Sequence, residues 1–222
     1  MSDLLTRVIP LALGAAVSPT VLAAIVLILG GRRAIARGTA FTAGFATVLA
    51  LMTVSGLVIS HHSDPSAARV RVTHDVYGLL GVVLLALAVI SLLRSRTNSE
   101  TGTPVRTSDA GPETGTDRGL FAVYVLGFGL MISNLSTILL YLPAMHAVSE
   151  STASFDAKVA AVVLAALITS LPATAPLLLR IALPKRSAPI FGAVNRFVTT
   201  HQRVITISVE TVFGVYLIYR SL

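Results

Sequence analysis

The sequence predicts an all-α integral membrane protein with six transmembrane helices, arranged as two inverted repeats of three helices. Apolar residues make up 54% of the 222 residues and charged residues only 12%, whereas an ordinary soluble domain is roughly 25% charged. The mean hydropathy is +0.82, and the apolar residues fall into six blocks of about 20 residues, the length of a membrane-spanning helix. A short motif that recurs in the two halves indicates the repeat. Since the chain has no cysteine, a disulfide scaffold and a cysteine-ligated metal site are both excluded.

The first block, residues 8–29, carries no charge after Arg7. A secretory signal peptide is the alternative, because a short charged start precedes an apolar run, but this run continues past Ala15 and Ala16 to full membrane length. Pro19 lies near its middle and frees backbone carbonyls in the preceding turn. Because such groups need polar partners in lipid, we expect a broken helix with a polar site formed by Ser18, Pro19 and Thr20.

Blocks two and three, residues 38–60 and 76–93, complete the first repeat, residues 1–94. The segment that follows, residues 95–118, is rich in Ser, Thr, Gly, Pro and charges of both signs and has almost no apolar residue. Such a composition cannot bury a core. We therefore expect a disordered cytoplasmic linker before the second repeat, residues 119–222.

The second repeat contains the remaining blocks, residues 120–148, 159–179 and 204–219. We expect the fourth helix to be broken like the first, because polar residues interrupt it, and the fifth carries hydroxyls and two prolines at comparable depth. Interhelical packing explains any one of these residues, but three interrupted helices together predict a central polar pathway. Besides the three residues of the first helix, this pathway comprises Gly14, Gly129, Ser133, Asn134, Ser136, Thr137, Ser170, Pro172, Thr174, Pro176 and Glu210.

Glu210 is the single carboxylate within a predicted span. It lies roughly 10 Å from the inner end of the sixth helix, at about 1.5 Å per residue. An ionisable group at such depth points to function by default, and we expect it to bind a proton or a cation during transport. The alternative is a structural hydrogen bond to a neighbouring helix, for example to Asn134 or Thr174.

Residues 189–198 differ from the six blocks because their apolar side chains occupy one face of a helix. These are Ile190, Phe191, Val194, Phe197 and Val198. Pro189 suits a first helical turn. The segment predicts a short amphipathic helix in the membrane interface before the sixth helix; the alternative is an extension of the sixth helix itself.

The two halves of the chain share a short motif. A glycine four residues before a serine, followed by a helix-weakening residue, occurs at Gly14 and Ser18 and again at Gly129 and Ser133. A unit of three crossings must invert when it is repeated, and inverted repeats with broken helices are typical of transporters. A second pair of similar stretches begins at Gly81 and Gly214.

The net charge of +7 would suggest a nucleic-acid partner in a soluble protein, but the placement of the charges indicates a membrane orientation instead. One side of the predicted topology carries twelve of the 17 basic residues and a net charge of +8, and the other side is neutral. The positive-inside rule then places the linker in the cytoplasm and both termini outside. The basic residues expected to attract anionic headgroups are Arg32, Arg33, Arg37, Arg180, Lys185 and Arg186.

Other classes of site have little support in the sequence. His61, His62 and His74 share a predicted outer loop with two aspartates and are candidates for a divalent metal, but their spacing matches no metal motif, and a solvated loop is the alternative. A nucleophile elbow, a His-Glu-x-x-His zinc motif and a Walker A loop are all missing from the sequence. We therefore expect neither an enzyme nor a resident cofactor.

Several short motifs, spread over nearly all of the helices, follow one family pattern. The first helix contains Ile9-Pro10-Leu11-Ala12-Leu13-Gly14-Ala15-Ala16-Val17-Ser18-Pro19, and the turn after it reads Gly30-Gly31-Arg32-Arg33-Ala34. The second half contains Leu126-Gly127-Phe128-Gly129, then Ser133-Asn134-Leu135, then Leu171-Pro172 through Pro176. These motifs resemble the Gap/Sap family, the glycopeptidolipid- and sulfolipid-addressing proteins of the LysE transporter superfamily. The chain departs from the family at Ser136, where many relatives carry a lysine.

The resemblance implies six helices, inverted repeats and export of a lipid or a small solute. The first hypothesis is a transporter that exports or flips a lipid or lipid-linked cell-envelope precursor from the cytoplasmic side outward. The alternatives are a proton-coupled exporter of a small solute or metal cation, and a non-transporting membrane scaffold for a lipid-export complex. The expected partners are membrane lipids and the transported molecule, and a bundle of this size is compatible with a homodimer.

Overall fold

The computed structural model describes residues 2–61, 79–89, 116–184 and 187–221. Within these ranges the chain forms eight helices and no strand, which confirms the prediction of an all-helical protein. The helices are α1 (Ser2–Ala16), α2 (Pro19–Leu29), α3 (Ala34–His61), α4 (Leu79–Val89), α5 (Thr116–Ser133), α6 (Leu135–Glu150), α7 (Phe155–Ala182) and α8 (Ser187–Ser221).

Length and composition identify the helices that can cross a membrane. Helices α3 and α7 are each long and apolar enough, and the bent pairs α1–α2 and α5–α6 qualify if each pair counts as one span. The described part of the chain therefore contains two to four candidate spans. The arrangement of six spans stays a prediction.

The first predicted break separates α1 from α2, whose axes are bent by 54°. Ser18 lies between them in an extended conformation, with φ −126° and ψ 91°, and its side chain accepts a hydrogen bond from the backbone N–H of Val21. Pro19 is the first residue of α2, where the missing N–H costs nothing because the first N–H groups of a helix have no partner in the helix. The local chemistry therefore ends one helix and begins the next within a single apolar block.

The second predicted break separates α5 from α6, which are bent by 73°. Asn134 caps α6, and its side chain accepts a hydrogen bond from the backbone N–H of Thr137. Asparagine is a favoured capping residue, and this break forms without a proline. Asn134 therefore caps α6 as Ser18 caps α2, whereas Ser133, which the shared motif pairs with Ser18, ends α5.

Helix α7 is not interrupted, although the sequence predicted a third break there. It runs from Phe155 to Ala182 and contains both Pro172 and Pro176. This continuous helix packs against α1, α2, α3 and α6. The prediction of three interrupted helices is thus wrong for α7 and holds for the other two.

The prediction of a separate, short interfacial helix before the sixth span is also wrong. Residues 189–198 belong to α8, a continuous helix of 35 residues, as the alternative had it. The polar stretch that follows contains no glycine or proline, and the Thr199 hydroxyl donates a hydrogen bond to the carbonyl of Asn195 within the same helix. At about 1.5 Å per residue α8 is roughly 50 Å long, so it exceeds the roughly 30 Å hydrocarbon core.

The predicted linker, residues 95–118, overlaps the start of α5. The last three of these residues are helical, because α5 begins at Thr116, and residues 95–115 lie outside the described part of the chain. The division into two repeats at this linker stays a prediction.

Close packing between helices depends on glycine at one crossing in particular, that of α3 with α5. A Cβ added to Gly44 would collide with the carbonyl oxygen of Tyr124, and a Cβ added to Gly127 would collide with the carbonyl oxygen of Phe41. The two backbones therefore touch, as small residues allow in membrane bundles. Elsewhere α1 packs on α6, and α2 lies against both α7 and α8.

Candidate functional site

The two helix breaks contact each other in the interior of the bundle. The Asn134 side-chain amide donates a hydrogen bond to the Ser18 hydroxyl, with 2.6 Å between Nδ2 and Oγ, although the residues are 116 apart in sequence. The Thr137 hydroxyl donates to the carbonyl oxygen of Ala15 at 3.0 Å. That carbonyl belongs to the last turn of α1, where carbonyls lack helical partners. Polar groups at one break are thus hydrogen-bonded to polar groups at the other. We call Ser18, Asn134, Ser136, Thr137 and Glu210 the polar centre.

Glu210, the carboxylate of the sixth predicted span, lies in α8 at this polar centre. Its side chain is 5% exposed. The Ser136 hydroxyl donates a hydrogen bond to Oε1 at 3.1 Å, so the partner is neither Asn134 nor Thr174, the two examples that the sequence suggested. Among the described residues, Glu210 Oε2 has no hydrogen-bond partner and no cation forms an ion pair with the carboxylate.

A buried, unpartnered carboxylate oxygen is costly unless it is protonated or gains a donor. This oxygen lies one hydrogen bond away from Ser136, which is the second residue of α6 after the break. The arrangement can therefore accept a proton, a cation or a polar group of a bound molecule next to the two helix breaks.

Two residues that the sequence analysis missed tie α8 to the first broken helix. The Gln202 amide donates a hydrogen bond to the Thr20 hydroxyl at 3.3 Å. The ring of Phe213 lies against Gly14, where an added Cβ would come within 2.6 Å of it. Gln202 stands in a polar stretch that reads as a loop in the sequence, and no sequence signal pairs Phe213 with Gly14.

Six other predicted pathway residues are not part of the polar centre. Ser133 is exposed, and a Cβ added to Gly129 would meet no atom within 4 Å. In α7, the Ser170 and Thr174 hydroxyls donate to carbonyls of their own helix, Leu167 and Ser170 respectively. The remaining two residues, also in α7, are buried: Pro172 and Pro176. The nearby Thr169 is fully buried and its hydroxyl has no hydrogen-bond partner within the described part of the chain.

The predicted headgroup-attracting residues lie at helix ends. Arg32 and Arg33 follow α2, Arg33 with a φ of 53°, and Arg37 lies in the first turn of α3. Arg180, in the last turn of α7, donates a hydrogen bond to the Pro184 carbonyl at 2.8 Å. The other two predicted residues, Lys185 and Arg186, lie outside the described residues.

The metal candidates fall mostly beyond the described structure. His62 and His74 lie outside it, and His61 is the last residue of α3. In the residues that the structure describes, no group of three or more His, Cys, Asp or Glu side chains is placed to hold a metal ion.

Comparison with known proteins identifies the family. The chain matches, over residues 8–222, the family model described as Sap, sulfolipid-1-addressing protein. No curated protein and no solved structure matches the chain. The family and the apolar helices together indicate a membrane protein with a lipid-related role. The chain belongs to the Sap, sulfolipid-1-addressing protein, family.

Proposed function

We propose that this protein exports or flips a lipid, or a lipid-linked cell-envelope precursor, from the cytoplasmic side of the membrane outward. The observation that carries the proposal is the polar centre, in which Asn134 joins the two helix breaks and Glu210 holds an unpartnered oxygen beside them. Polar groups of this kind mark substrate pathways in membrane proteins. The family description, sulfolipid-1-addressing protein, supports a lipid as the cargo.

The physical problem of lipid movement is to carry a polar headgroup through hydrocarbon while the acyl chains stay in lipid. Broken helices help, because hydroxyl and amide groups at a break can exchange their mutual hydrogen bonds for bonds to a headgroup. The outer faces of the helices are apolar: Leu27, Leu167 and Val212 are each at least 60% exposed. The proposal therefore places the headgroup at the polar centre and the acyl chains along these faces.

The proposal includes six spans in two inverted repeats, as in the LysE-superfamily transporters that the motifs resemble. A reciprocal contact supports it. A Cβ added to Gly81 would meet Gly214 and Ile218, and a Cβ added to Gly214 would meet Gly81 and Leu85. Leu85 and Ile218 each follow their glycine by four residues, so the contact has the form that a two-fold axis produces.

The two helix caps, Ser18 and Asn134, form a second contact that a two-fold axis would produce. Ser18 and Asn134 hold equivalent positions, each accepting a hydrogen bond from the backbone N–H three residues later, and they bond to each other. A two-fold axis in the membrane plane would pass between equivalent residues that touch. We place that axis between Ser18 and Asn134 and between Gly81 and Gly214.

The proposed direction rests on charge. With both termini outside, the cytoplasmic side carries the net charge of +8 that the sequence predicts. A positive surface gathers anionic headgroups at the side from which an exporter must take its cargo. The proposed partners are accordingly membrane lipids and the exported lipid, in a bacterial inner membrane, with a monomer or a homodimer as the working unit and no catalytic step.

The test is lipid movement in vesicles that contain the purified protein. A fluorescent anionic lipid is followed from one leaflet to the other by chemical quenching. We expect Asn134→Ala to slow movement about tenfold, because it removes both the bond to Ser18 and the cap of α6, and we expect the control Ser133→Ala to match the wild type. Equal rates with and without protein, over a panel of anionic and neutral lipids, would overturn transport and favour the scaffold.

The unpartnered oxygen of Glu210 also favours a second candidate, a proton-coupled exporter of a small solute or metal cation. An intramembrane carboxylate suits proton or cation binding. This candidate predicts uptake of a radiolabelled cation or amino acid into inverted vesicles under an imposed proton gradient, with no acceleration of lipid movement. Lipid movement that needs no gradient would exclude it.

A further inference from the structure

A cavity of about 470 Å³ opens where three helix ends meet, away from the polar centre. Gly30 and Gly31 line it from the end of α2, Arg180 from the end of α7, and Phe191 and Asn195 from the beginning of α8. Its volume lies in the range of roughly 300–1,000 Å³ that is usual for small-molecule sites. The predicted topology puts these three helix ends on the cytoplasmic side.

The cavity is electropositive. Arg180 supplies a guanidinium cation to the lining, and it donates a hydrogen bond to the Pro184 carbonyl. The Arg37 guanidinium lies 3.9 Å from the position of a Cβ on Gly31, so a second cation stands beside the wall. None of the described residues that line the cavity is acidic. The cavity therefore attracts an anion.

One lining residue points to more than an anion. The Asn195 side-chain oxygen is buried and has no hydrogen-bond partner in the residues that the structure describes. A buried carbonyl oxygen without a donor is unfavourable. Because Asn195 lines the cavity, a turn of its amide group would bring this oxygen to a hydroxyl group of a ligand. Arginine and asparagine together therefore suit a group that carries both a negative charge and a hydroxyl.

The surroundings of the cavity favour a lipid over a free anion. Leu27, which lines the cavity, is 60% exposed, and Leu178 and Ile181 on α7 are 63% and 50% exposed. Exposed apolar side chains near a cationic cavity suit the acyl chains of a lipid whose headgroup lies in the cavity. A free anion has no acyl chains and would not use them.

We infer that this cavity is a binding site for the anionic, hydroxyl-bearing headgroup of a membrane lipid, with Arg180 binding the negative charge and the Asn195 side-chain oxygen accepting a hydrogen bond from the hydroxyl group. This inference rests on the proposed lipid transport and names the place where the cargo is first held. The seam between α2 and α8 connects the cavity to Thr20 and Gln202 at the first helix break. A lipid held here therefore lies at the start of a path to the polar centre.

Gly192 gives a direct way to close the site. It lines the cavity, and a Cβ added to it would meet no atom within 4 Å. Gly192→Leu therefore fills open space without displacing the protein, while the matched Gly192→Ala adds little volume. Both replacements favour helix formation at this position, so misfolding would not explain a loss specific to leucine.

The experiment measures binding of phosphatidylglycerol, phosphatidic acid and phosphatidylcholine to the purified full chain in detergent, by native mass spectrometry. We expect phosphatidylglycerol to bind most tightly, and Arg180→Gln and Gly192→Leu each to weaken it about tenfold. Arg196→Gln, which removes an exposed arginine next to the cavity-lining Asn195, and Gly192→Ala should bind like the wild type. Asn195→Leu should abolish the preference for phosphatidylglycerol over phosphatidic acid.

Three results would overturn the inference. Equal losses for Arg180→Gln and Arg196→Gln would mean attraction by surface charge in general. Unchanged binding in Gly192→Leu would place the lipid elsewhere. Displacement of the lipid by millimolar glycerol phosphate, with equal affinity for the two, would assign the site to a free anion. Binding and vesicle transport are measured separately. Loss of the predicted binding pattern with intact transport would overturn the cavity as the lipid site and leave the proposed function standing. The predicted binding pattern without transport would support the cavity site and overturn the proposed function.

Discussion

Glu210 carries the charge of the polar centre, and its two oxygens have different surroundings. Oε1 accepts a hydrogen bond from Ser136, whereas Oε2 has no partner among the described residues. A purely structural role would need only the first oxygen. The unpartnered oxygen of a residue that is 5% exposed is the observation that supports the proposed role of Glu210 in transport.

The substitution Glu210→Gln separates these two roles. The amide oxygen of glutamine can still accept the hydrogen bond from Ser136, but the side chain can no longer ionise. We expect the melting temperature in detergent to stay within a few degrees of the wild type while lipid movement in vesicles slows about tenfold. Thr211→Ala, on the exposed side of α8, is the control and should change neither quantity. Full transport by Glu210→Gln would reduce Glu210 to a hydrogen-bond acceptor.

At the scale of the elements, the sequence predicted the two broken helices because their causes are local. Pro19 interrupts the first block, and a cluster of polar residues interrupts the fourth. The cluster did not show which residue caps the new helix, since capping depends on whether the side chain of Ser133 or Asn134 reaches a backbone N–H. The sequence also favoured a separate helix over a continuous α8. Its polar stretch is typical of a loop, but it contains no glycine or proline that would end a helix.

The contacts between elements lay beyond the sequence for a physical reason. The hydrogen bond from Asn134 to Ser18 joins residues 116 apart, and nothing in either local pattern specifies such a partner. The same holds for the contact of Phe213 with Gly14. Residue types and their depth in a span predicted which groups are polar and buried, whereas only the packing of α8 on the broken helices showed which of them meet.

The crossing of α3 with α5 offers a prediction about stability. Gly127 touches the backbone of Phe41, whereas Gly129, two residues further along the same helix, has open space around it. We expect Gly127→Ala to destabilise the fold by about 1–3 kcal/mol, because a methyl group forces two backbones apart. Gly129→Ala should be neutral or stabilising by up to about 1 kcal/mol, since alanine favours the helix. Thermal unfolding in detergent measures both, and equal melting temperatures would contradict the close crossing.

For the whole molecule, the uneven placement of charge predicts the orientation in the membrane. The chain has no cysteine, so single cysteines can report which side of the membrane a position faces. We expect Ser2→Cys and Ser221→Cys to react with a membrane-impermeant maleimide on intact cells, and Ser108→Cys in the linker to react only after permeabilisation. Termini on opposite sides would contradict six spans, and a labelled linker on intact cells would reverse the direction of the proposed transport.

We propose that lipid moves by way of the two helix breaks, which the hydrogen bond from Asn134 to Ser18 joins. The most direct test joins these positions covalently in the cysteine-free chain as Ser18→Cys with Asn134→Cys, using an oxidant or a short, reducible cross-linker. Because Asn134→Cys also removes the amide, the reduced double variant is the reference. We predict that cross-linking stops its remaining movement of the fluorescent anionic lipid in vesicles, that reduction restores the reference rate, and that the oxidant changes the rate of neither single-cysteine variant. Undiminished lipid movement in the cross-linked protein would contradict the account.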